Sequence, residues 1–280
     1  MDRDKICIDI GGTKTLFALV GRDLEIKRSF RILTPHELKD FKRELIHGID
    51  CLRSNSTTAN VSIAGRVDLK GRVVLSPALP LIGFNLKKEL KKKFVSVNID
   101  NDANCFAAHE IVAGNLKNVG SGVIVVWGTG VGGCIVANRR IYRGMGFAAE
   151  LGHLQLLDRD EGDVETLIAG KNMVKNYGHS GKDLQAMAEK GDAYALDTFK
   201  KIGTIFGKYL ASLMFALDPE VFVLGGSFVK SWDYMSGAAE AEISRLTVRK
   251  KAVIKVIKDD FYVIKGCYFL DDYEKLSSKL

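Results

Sequence analysis

Four short segments of this chain carry residue types suited to handling phosphate, a divalent cation and hydroxyl groups. The first is Asp9-Ile10-Gly11-Gly12-Thr13-Lys14. Glycines at such a turn let backbone N–H groups approach phosphate oxygens with no side chain in the way. Thr13 adds a hydroxyl, Lys14 a positive charge, and Asp9 suits Mg²⁺, held directly or through water. An ordinary hairpin turn would use the same glycines. The second, Gly128-Thr129-Gly130-Val131-Gly132-Gly133, fits the GxGxxG spacing. A dinucleotide-binding fold needs a helix directly after that turn. Here Cys134-Ile135-Val136-Ala137 continues as a strand, which rejects the dinucleotide reading. Protein kinases share the spacing, but the chain has no HRD, no DFG and no Walker A sequence. A strand–turn–strand phosphate cradle remains. The third, Asn101-Asp102, follows the strand Val95 to Ile99 and precedes a helix. A carboxylate at a strand's C-terminal end is placed to act as a general base, while Asp and Asn are equally good helix caps. In the fourth, Gly144 to His153, Glu150 and His153 are three apart and share one face of a helical turn, where they could grip adjacent hydroxyls. As isolated residues they would more often be ordinary polar groups.

These segments need elements to hold them. Lys5 to Ile10 reads as a buried strand and Thr15 to Val20 as its partner. Thr34-Pro35-His36-Glu37 reads as a capping box with proline at the first helical position. It opens a helix striped by Leu38, Phe41, Leu45, Ile46, Ile49 and Leu52. Asn60 to Ala64 and Arg72 to Leu75 are strands, Leu86 to Phe94 and Ala103 to Ala113 helices. A second round begins with the strand Ser121 to Trp127, the Gly128 to Gly133 turn and the strand Cys134 to Ala137. A long helix, Asp192 to Leu217, and a short strand, Val221 to Leu224, lead to Gly225-Gly226. Ile8-Asp9-Ile10-Gly11-Gly12-Thr13 and Val125-Val126-Trp127-Gly128-Thr129-Gly130 share one plan. This similarity predicts a duplicated α/β domain with a cleft between its halves. The boundaries expected are 1–116 and 117–280, with the C-terminal helix packing back on the first lobe.

Taken together and in order, the segments resemble the ROK family of sugar kinases and sugar-responsive repressors. The resemblance rests on Asp9 to Lys14, Asn101-Asp102-Ala103-Asn104, Gly128 to Gly133 with Tyr142-Arg143-Gly144 and Glu150-Leu151-Gly152-His153, and Asp218-Pro219-Glu220-Val221-Phe222-Val223-Leu224-Gly225-Gly226. Ser76-Pro77-Ala78-Leu79-Pro80 is similar to the family's sugar loop. The resemblance runs from about Ile6 to Gly226, with a weak tail near Gly266. It implies two actin-like, ribonuclease H-like ATPase lobes of hexokinase type. The activity implied is ATP-dependent phosphorylation of a hexose or amino-hexose, at the 6-OH of glucose, mannose or N-acetylmannosamine, with Mg²⁺. It makes Asp102 the general base. Asn101, Glu150, His153 and Glu165 would hold ring hydroxyls, and Gly65 would lie against the sugar. Gly11, Gly12, Thr13, Lys14, Gly128, Thr129 and Gly130 would surround the phosphates, with Asp9 on the metal and Gly225 and Gly226 on the adenosine side. A homodimer or higher oligomer is implied by the family alone.

The sequence departs from the family in two places. The stretch Leu154 to Val164 has no cysteine where the family carries a CxCxxxxC zinc motif, so no zinc is expected. Packing by Leu154, Leu156, Leu157 and Leu167 would then hold the segment, with His153 a neutral hydrogen-bonding ligand near pH 7. Ala78 stands where an asparagine is usual near the sugar.

Composition bounds the alternatives. The formal charge is +7, but the densest lysine run, Lys87 to Lys93, lies on an amphipathic helix without interleaved aromatics, so no nucleic-acid partner is expected. Five scattered cysteines, Cys7, Cys51, Cys105, Cys134 and Cys267, mostly in apolar runs, suit a reducing cytoplasm. A charged N-terminus running into a strand argues against a leader, and no apolar run is long enough for a membrane. Two other readings are a sugar-binding regulator without catalysis and an actin-like ATPase. Asp102 together with both phosphate turns argues against the first, and the second has no use for Glu150 and His153.

Overall fold

The computed structural model describes residues 4–68, 70–76, 79, 81–146, 148–155, 162–249 and 251–278. In chain order the strands and helices are β1 (Lys5–Ile10), β2 (Lys14–Val20), β3 (Ile26–Leu33), α1 (Leu38–Cys51), β4 (Thr58–Ile63), β5 (Arg66–Val67), β6 (Val73–Leu75), α2 (Leu86–Leu90), β7 (Ser96–Asn101) and α3 (Asp102–Val112). There follow β8 (Ser121–Trp127), β9 (Val131–Ala137), β10 (Arg140–Ile141), α4 (Val164–Ile168), α5 (Met173–Tyr177), α6 (Gly181–Ala188), α7 (Ala193–Leu217), β11 (Val221–Gly225), α8 (Trp232–Leu246), β12 (Ile254–Val256), α9 (Tyr262–Tyr268) and α10 (Leu270–Ser277). The chain forms two compact units. One comprises Met1–Lys117, Gly144–Phe147 and Phe261–Leu280, the other Asn118–Arg143 and Ala148–Asp260.

Each unit is built on a five-stranded sheet, in the orders β3-β2-β1-β4-β7 and β10-β9-β8-β11-β12. The pairing types match position for position: an antiparallel meander of three strands, then two parallel additions. The duplicated α/β plan is therefore real. The turns compared above, Gly11 to Thr13 and Gly128 to Gly130, are the equivalent β1–β2 and β8–β9 turns.

In the first unit, alternation along β1 sorts its side chains to two faces. Ile6, Ile8 and Ile10 are fully buried with Phe41, Leu45 and Ile49 of α1 in one apolar core. Lys5, Cys7 and Asp9 point the other way, toward a layer made by α3, α9 and α10. The Lys5 ammonium donates to the Tyr268 carbonyl at 2.9 Å and pairs with Asp271 at 2.7 Å. Asn98 donates to Asn60, and Asn60 to Asp271. The α9–α3 contact is close: a Cβ on Gly266 would lie 2.3 Å from the Cys105 carbonyl oxygen. The C-terminal helices thus cover one face of the first unit's sheet. In the second unit, Val123, Val125 and Trp127 of β8 join α7 and α8 in a separate core. The Trp127 ring stacks between Phe206 and Phe228, with centroids 4.4 and 4.6 Å away. Its Nε1 donates to the Ile168 carbonyl at 2.9 Å.

Several sequence expectations change. The strand β3 is absent from the sequence reading, because Lys27, Arg28 and Arg31 make it a charged edge strand rather than an alternating one. The capping box fails: α1 starts at Leu38, and Glu37 makes no side-chain cap. The Thr34 hydroxyl donates instead to the Gly11 carbonyl at 2.7 Å and meets Thr15 Oγ1 at 2.9 Å. The second glycine motif turns only over Gly128–Gly130, since β9 begins at Val131. β7 runs on to Asn101, past the expected Ile99, and α2 ends at Leu90, although Phe94 is buried as expected. Four of the five cysteines are buried, Cys51 being exposed. Among the described residues no helix is long and apolar enough to cross a membrane.

Gly266→Ala forces a methyl against backbone and is expected to lower unfolding stability by about 1–3 kcal/mol. Gly237→Ala, in α8 with open space around the added carbon, should raise it by about 0.5–1 kcal/mol through helix propensity. Urea titrations of both variants check this. A Gly266→Ala protein as stable as the parent would mean that α9 does not pack on α3.

Candidate functional site

In the first unit, β1, β4 and β7 run parallel, so their C-terminal ends share one edge. The register sets Asp9 beside Ser62 and Ser62 beside Asp100. Ser62 Oγ donates to Asp9 Oδ1 at 2.8 Å. At the start of α3 the two readings of Asn101-Asp102 separate. Asn101 is the cap, its Oδ1 accepting from Asn104 N at 2.7 Å. Asp102 stands half-buried at the first helical position and accepts from Ala103 N at 2.8 Å. Burial pushes the Asp9 carboxyl up to about 6; the Ser62 hydrogen bond opposes the rise, the nearby Asp102 charge adds to it, and Arg31 opposes it. Asp9 and Asp102 are therefore a pair of carboxylates in one corner.

The first glycine turn opens beside them. Gly11 N donates to the Lys14 carbonyl at 3.0 Å, and Thr34 N to the Thr13 carbonyl at 3.0 Å. Thr34 thus ties both ends of the turn, leaving Thr13 and Lys14 exposed and Gly12 half-exposed. Gly65 lies at the same edge: the adjacent Ala64 N donates to the Ile10 carbonyl at 2.8 Å, and a Cβ on Gly65 would lie 2.4 Å from the Leu75 oxygen. The lack of a side chain at Gly65 is explained by that strand alone. Of the sugar-loop residues, Leu79 is buried, while Pro77, Ala78 and Pro80 lie outside the described residues.

In the second unit the Gly128–Gly130 turn is held from the far side. The carbonyls of Gly128 and Thr129 accept from Gly170 N at 2.9 Å and Lys171 N at 3.0 Å. Glu165 Oε2 accepts from Val131 N at 3.0 Å, and its Oε1 pairs with Lys171. Burial raises the Glu165 carboxyl, but these bonds outweigh it and hold the group below the usual range. Glu165 is thus turned onto the phosphate-type turn. Leu151 is buried and Gly152 abuts the Val131 carbonyl, where a Cβ would lie 2.1 Å from its oxygen. That packing leaves Glu150 and His153 exposed at the two ends of a 3₁₀ turn, Leu151–His153. Glu150 lies just outside the turn, with φ −71° and ψ 59°.

His153 has a partner that sequence reading missed: its Nδ1 lies 2.7 Å from Asp163 Oδ2. This hydrogen bond raises the His153 pKa, since a carboxylate partner favours imidazolium. Leu154 is 39% exposed and is not among the core residues of the second unit. Leu151, Val164 and Ile168 fill that role, with Leu167 packed at the core's edge. Leu156 and Leu157 fall among residues 156–161, outside the described residues.

A pocket of about 520 Å³ adjoins the second turn, within the second unit. Thr129, Lys171, Lys182, Lys230, Ser227 and Phe228 are among its lining residues. Its volume suits a nucleotide-sized ligand, and its lysines suit an anion. Gly226 has φ +103°, and a Cβ there would sit 2.2 Å from the Trp127 oxygen. Gly225 and Gly226 therefore bring Ser227 and Phe228 to the wall rather than line it themselves. Lys171, Lys182 and Lys230 were missed because lone lysines read as surface. One legible signal was the capping box at Ser180 and Asp183, which opens α6 at the pocket.

The ROK family profile matches residues 5–262. The chain belongs to the ROK family. An N-acetyl-D-glucosamine kinase from Photobacterium profundum is 27% identical, over 94% of this chain and 97% of its own. A ROK family glucokinase from Streptomyces griseus, solved with glucose and AMPPNP, superposes with a TM-score of 0.81 at 22% identity, covering 97% of this chain and 99% of its own. A ROK family transcriptional regulator, a homologue of the E. coli MLC protein, has a TM-score of 0.85 at 20% identity and covers 96% of this chain, but only 78% of that longer chain is matched. These comparisons bear out the family, the fold class and the sugar-kinase class read from the sequence.

The raised Asp9 pKa has a thermodynamic consequence. An acid whose folded pKa lies above its unfolded value holds its proton more tightly when folded, so stability falls as pH rises between the two. From an unfolded value near 3.9 to about 6 in the fold, the deficit grows to about 2–3 kcal/mol and persists above. Asp9→Asn should therefore stabilise the ligand-free protein at pH 8 by up to about that amount and by much less at pH 4.5. Denaturant titrations at the two pH values measure this. An equal difference at both would show that Asp9 is not a strained buried carboxylate.

Proposed function

We propose that this ROK protein transfers the γ-phosphoryl group of ATP to a hydroxyl, the 6-OH, of a hexose or N-acetylhexosamine. The observation that carries the proposal is the Asp9–Asp102 carboxylate pair beside an open glycine turn at the C-terminal edge of β1 and β7. Asp102 accepts the proton of the attacking hydroxyl as the new oxygen–phosphorus bond forms and ADP departs. Asn101, Glu150, His153 and Glu165 are assigned to ring hydroxyls, although Asn101 and Glu165 also hold local structure. With Asp163 behind it, His153 presents Nε2 to a ligand. Gly11 to Lys14 and Gly128 to Gly130 are assigned to the phosphates, and the basic pocket to the nucleoside side.

The donor set fits Mg²⁺ arriving with the nucleotide. Asp9 is a hard oxygen donor steadied by Ser62 and in need of a cation beside Asp102. Among the described residues no cluster of three or more acidic, histidine or cysteine side chains offers an all-protein cage; Mg²⁺ commonly takes one or two carboxylates plus phosphates. When bound, the ion would neutralise phosphate charge during transfer.

The names of the relatives favour an N-acetylhexosamine beside glucose, and one or two contacts of a few kcal/mol separate such sugars. A regulator reading is favoured only by the likeness to the MLC homologue, and it has no use for a base at Asp102. Assembly into a homodimer or larger oligomer is proposed on the family resemblance, and a cytoplasmic location on the scattered cysteines.

Asp102→Asn should leave sugar binding intact while kcat falls by about 10²–10⁴-fold. Near-normal turnover would remove Asp102 from the mechanism. Asp9→Ala should raise the KM for Mg·ATP. A defect confined to the sugar KM would contradict the Asp9 assignment. Steady-state kinetics with each substrate varied read out both.

A further inference from the structure

Glu165 is assigned to a ring hydroxyl, yet each of its carboxylate oxygens already has a partner within the second unit. Oε2 accepts from the backbone N of Val131, the first residue of β9, at 3.0 Å. That oxygen sits so close to the glycine turn that a Cβ on Gly130 would lie 2.7 Å from it. Oε1 pairs with the Lys171 ammonium. The ammonium is therefore held one carboxylate's width from the Gly128–Gly130 turn. Lys171 is tied to the turn a second time, because its backbone N donates to the Thr129 carbonyl at 3.0 Å. It also lines the basic pocket together with Thr129. Lys230, another lysine of that pocket, pairs with Asp260 rather than with a residue bound to the turn. Lys171 thus stands where the phosphate turn, the pocket and a sugar-assigned carboxylate meet.

We propose that Lys171 exchanges partners during turnover: its ammonium leaves Glu165 for the donor's phosphate tail at the Gly128–Gly130 turn, and the Glu165 oxygen it releases accepts from a sugar hydroxyl. Lys171 is then a ligand of the donor and a positioning residue for the acceptor, acting through Glu165. The inference rests on the phosphoryl-transfer reading and on Glu165 facing the sugar. The lysine is the partner free to move. Its side chain is 51% exposed against 18% for Glu165, and it rides on a flexible four-carbon stem. Glu165 stays pinned by Val131 N. A half-exposed ion pair is weak and easily parted. A triphosphate tail carries more negative charge than one carboxylate, so it competes well for the same ammonium. An ionised carboxylate can only accept hydrogen bonds, which suits the freed oxygen to a sugar O–H. Donor binding thereby readies the acceptor site.

Lys171→Met tests this, because it keeps the stem and removes the charge. The KM for Mg·ATP should rise about tenfold or more, the weight of one hydrogen bond between charged groups. Sugar affinity is measured by calorimetry with whichever of glucose and N-acetylglucosamine better stimulates ADP release, with and without AMPPNP. In the parent protein AMPPNP should tighten sugar binding by about fivefold or more. In Lys171→Met the sugar should bind more tightly than in the parent when AMPPNP is left out, since Glu165 has lost its competing partner, and the coupling should be lost. Lys171→Arg keeps the charge and should keep the coupling. A fixed brace would behave differently: its removal would weaken sugar and nucleotide together and lower the melting temperature, a result that overturns the proposal. An unchanged KM for Mg·ATP, coupling that survives in Lys171→Met, or equal loss in the Met and Arg variants would overturn it too. If neither sugar stimulates ADP release by the parent, the phosphoryl-transfer reading itself fails. A parent that phosphorylates sugar but shows no coupling sinks the exchange alone.

Discussion

The arrangement depends on one constraint: β1 must present three isoleucines to one side and end with a carboxylate on the other. Ile6, Ile8 and Ile10 commit the strand to the α1 core, and the two-residue period then sends Lys5, Cys7 and Asp9 to the opposite face. That face would be an unsatisfied polar surface without the C-terminal segment. Lys5 is met by Asp271 and Asp272, Cys267 Sγ contacts the Ile8 carbonyl, and Asp9 is met by Ser62 and by the Asp102 charge. The last residues of the chain thus seat the first strand, and the strain left at Asp9 is the kind that a cation and a phosphate would relieve.

The second unit repeats the strand plan but holds its turn differently. Where Thr34 ties the first turn from an edge strand, Glu165, Gly170 and Lys171 tie the second from a helical segment. Both turns keep their apices open because their other sides are already bonded. The second also borders a basic pocket, lined in part by Phe228, which stacks on Trp127.

What the sequence made legible was local. Glycine turns after apolar strands, the Asn101-Asp102 junction and the Glu150–His153 spacing depend on neighbours a few residues away. What it hid was long-range pairing. Thr34 looks like a helix cap because its true partners, Gly11 and Thr15, are about twenty residues upstream. His153 looks like a histidine without a carboxylate partner because Asp163 is ten residues on in the chain. β3 carries the charges of an edge strand, and the pocket lysines resemble any surface lysine. Only Gly266 hinted at α9, whose place is set by contact with α3 rather than by its own pattern. The duplicated plan was visible in two six-residue segments, each the end of a strand and the turn after it.

The central claim is that the carboxylate pair and the glycine turns serve phosphoryl transfer to a sugar. The most direct measurement is ADP release from Mg·ATP by the purified chain, with and without a panel of glucose, mannose, N-acetylglucosamine and N-acetylmannosamine. The account predicts negligible release without sugar, a large stimulation by at least one panel member, and a phosphorylated sugar formed in equal amount to ADP. ADP release that is the same with and without every sugar, or no release at all, would contradict it.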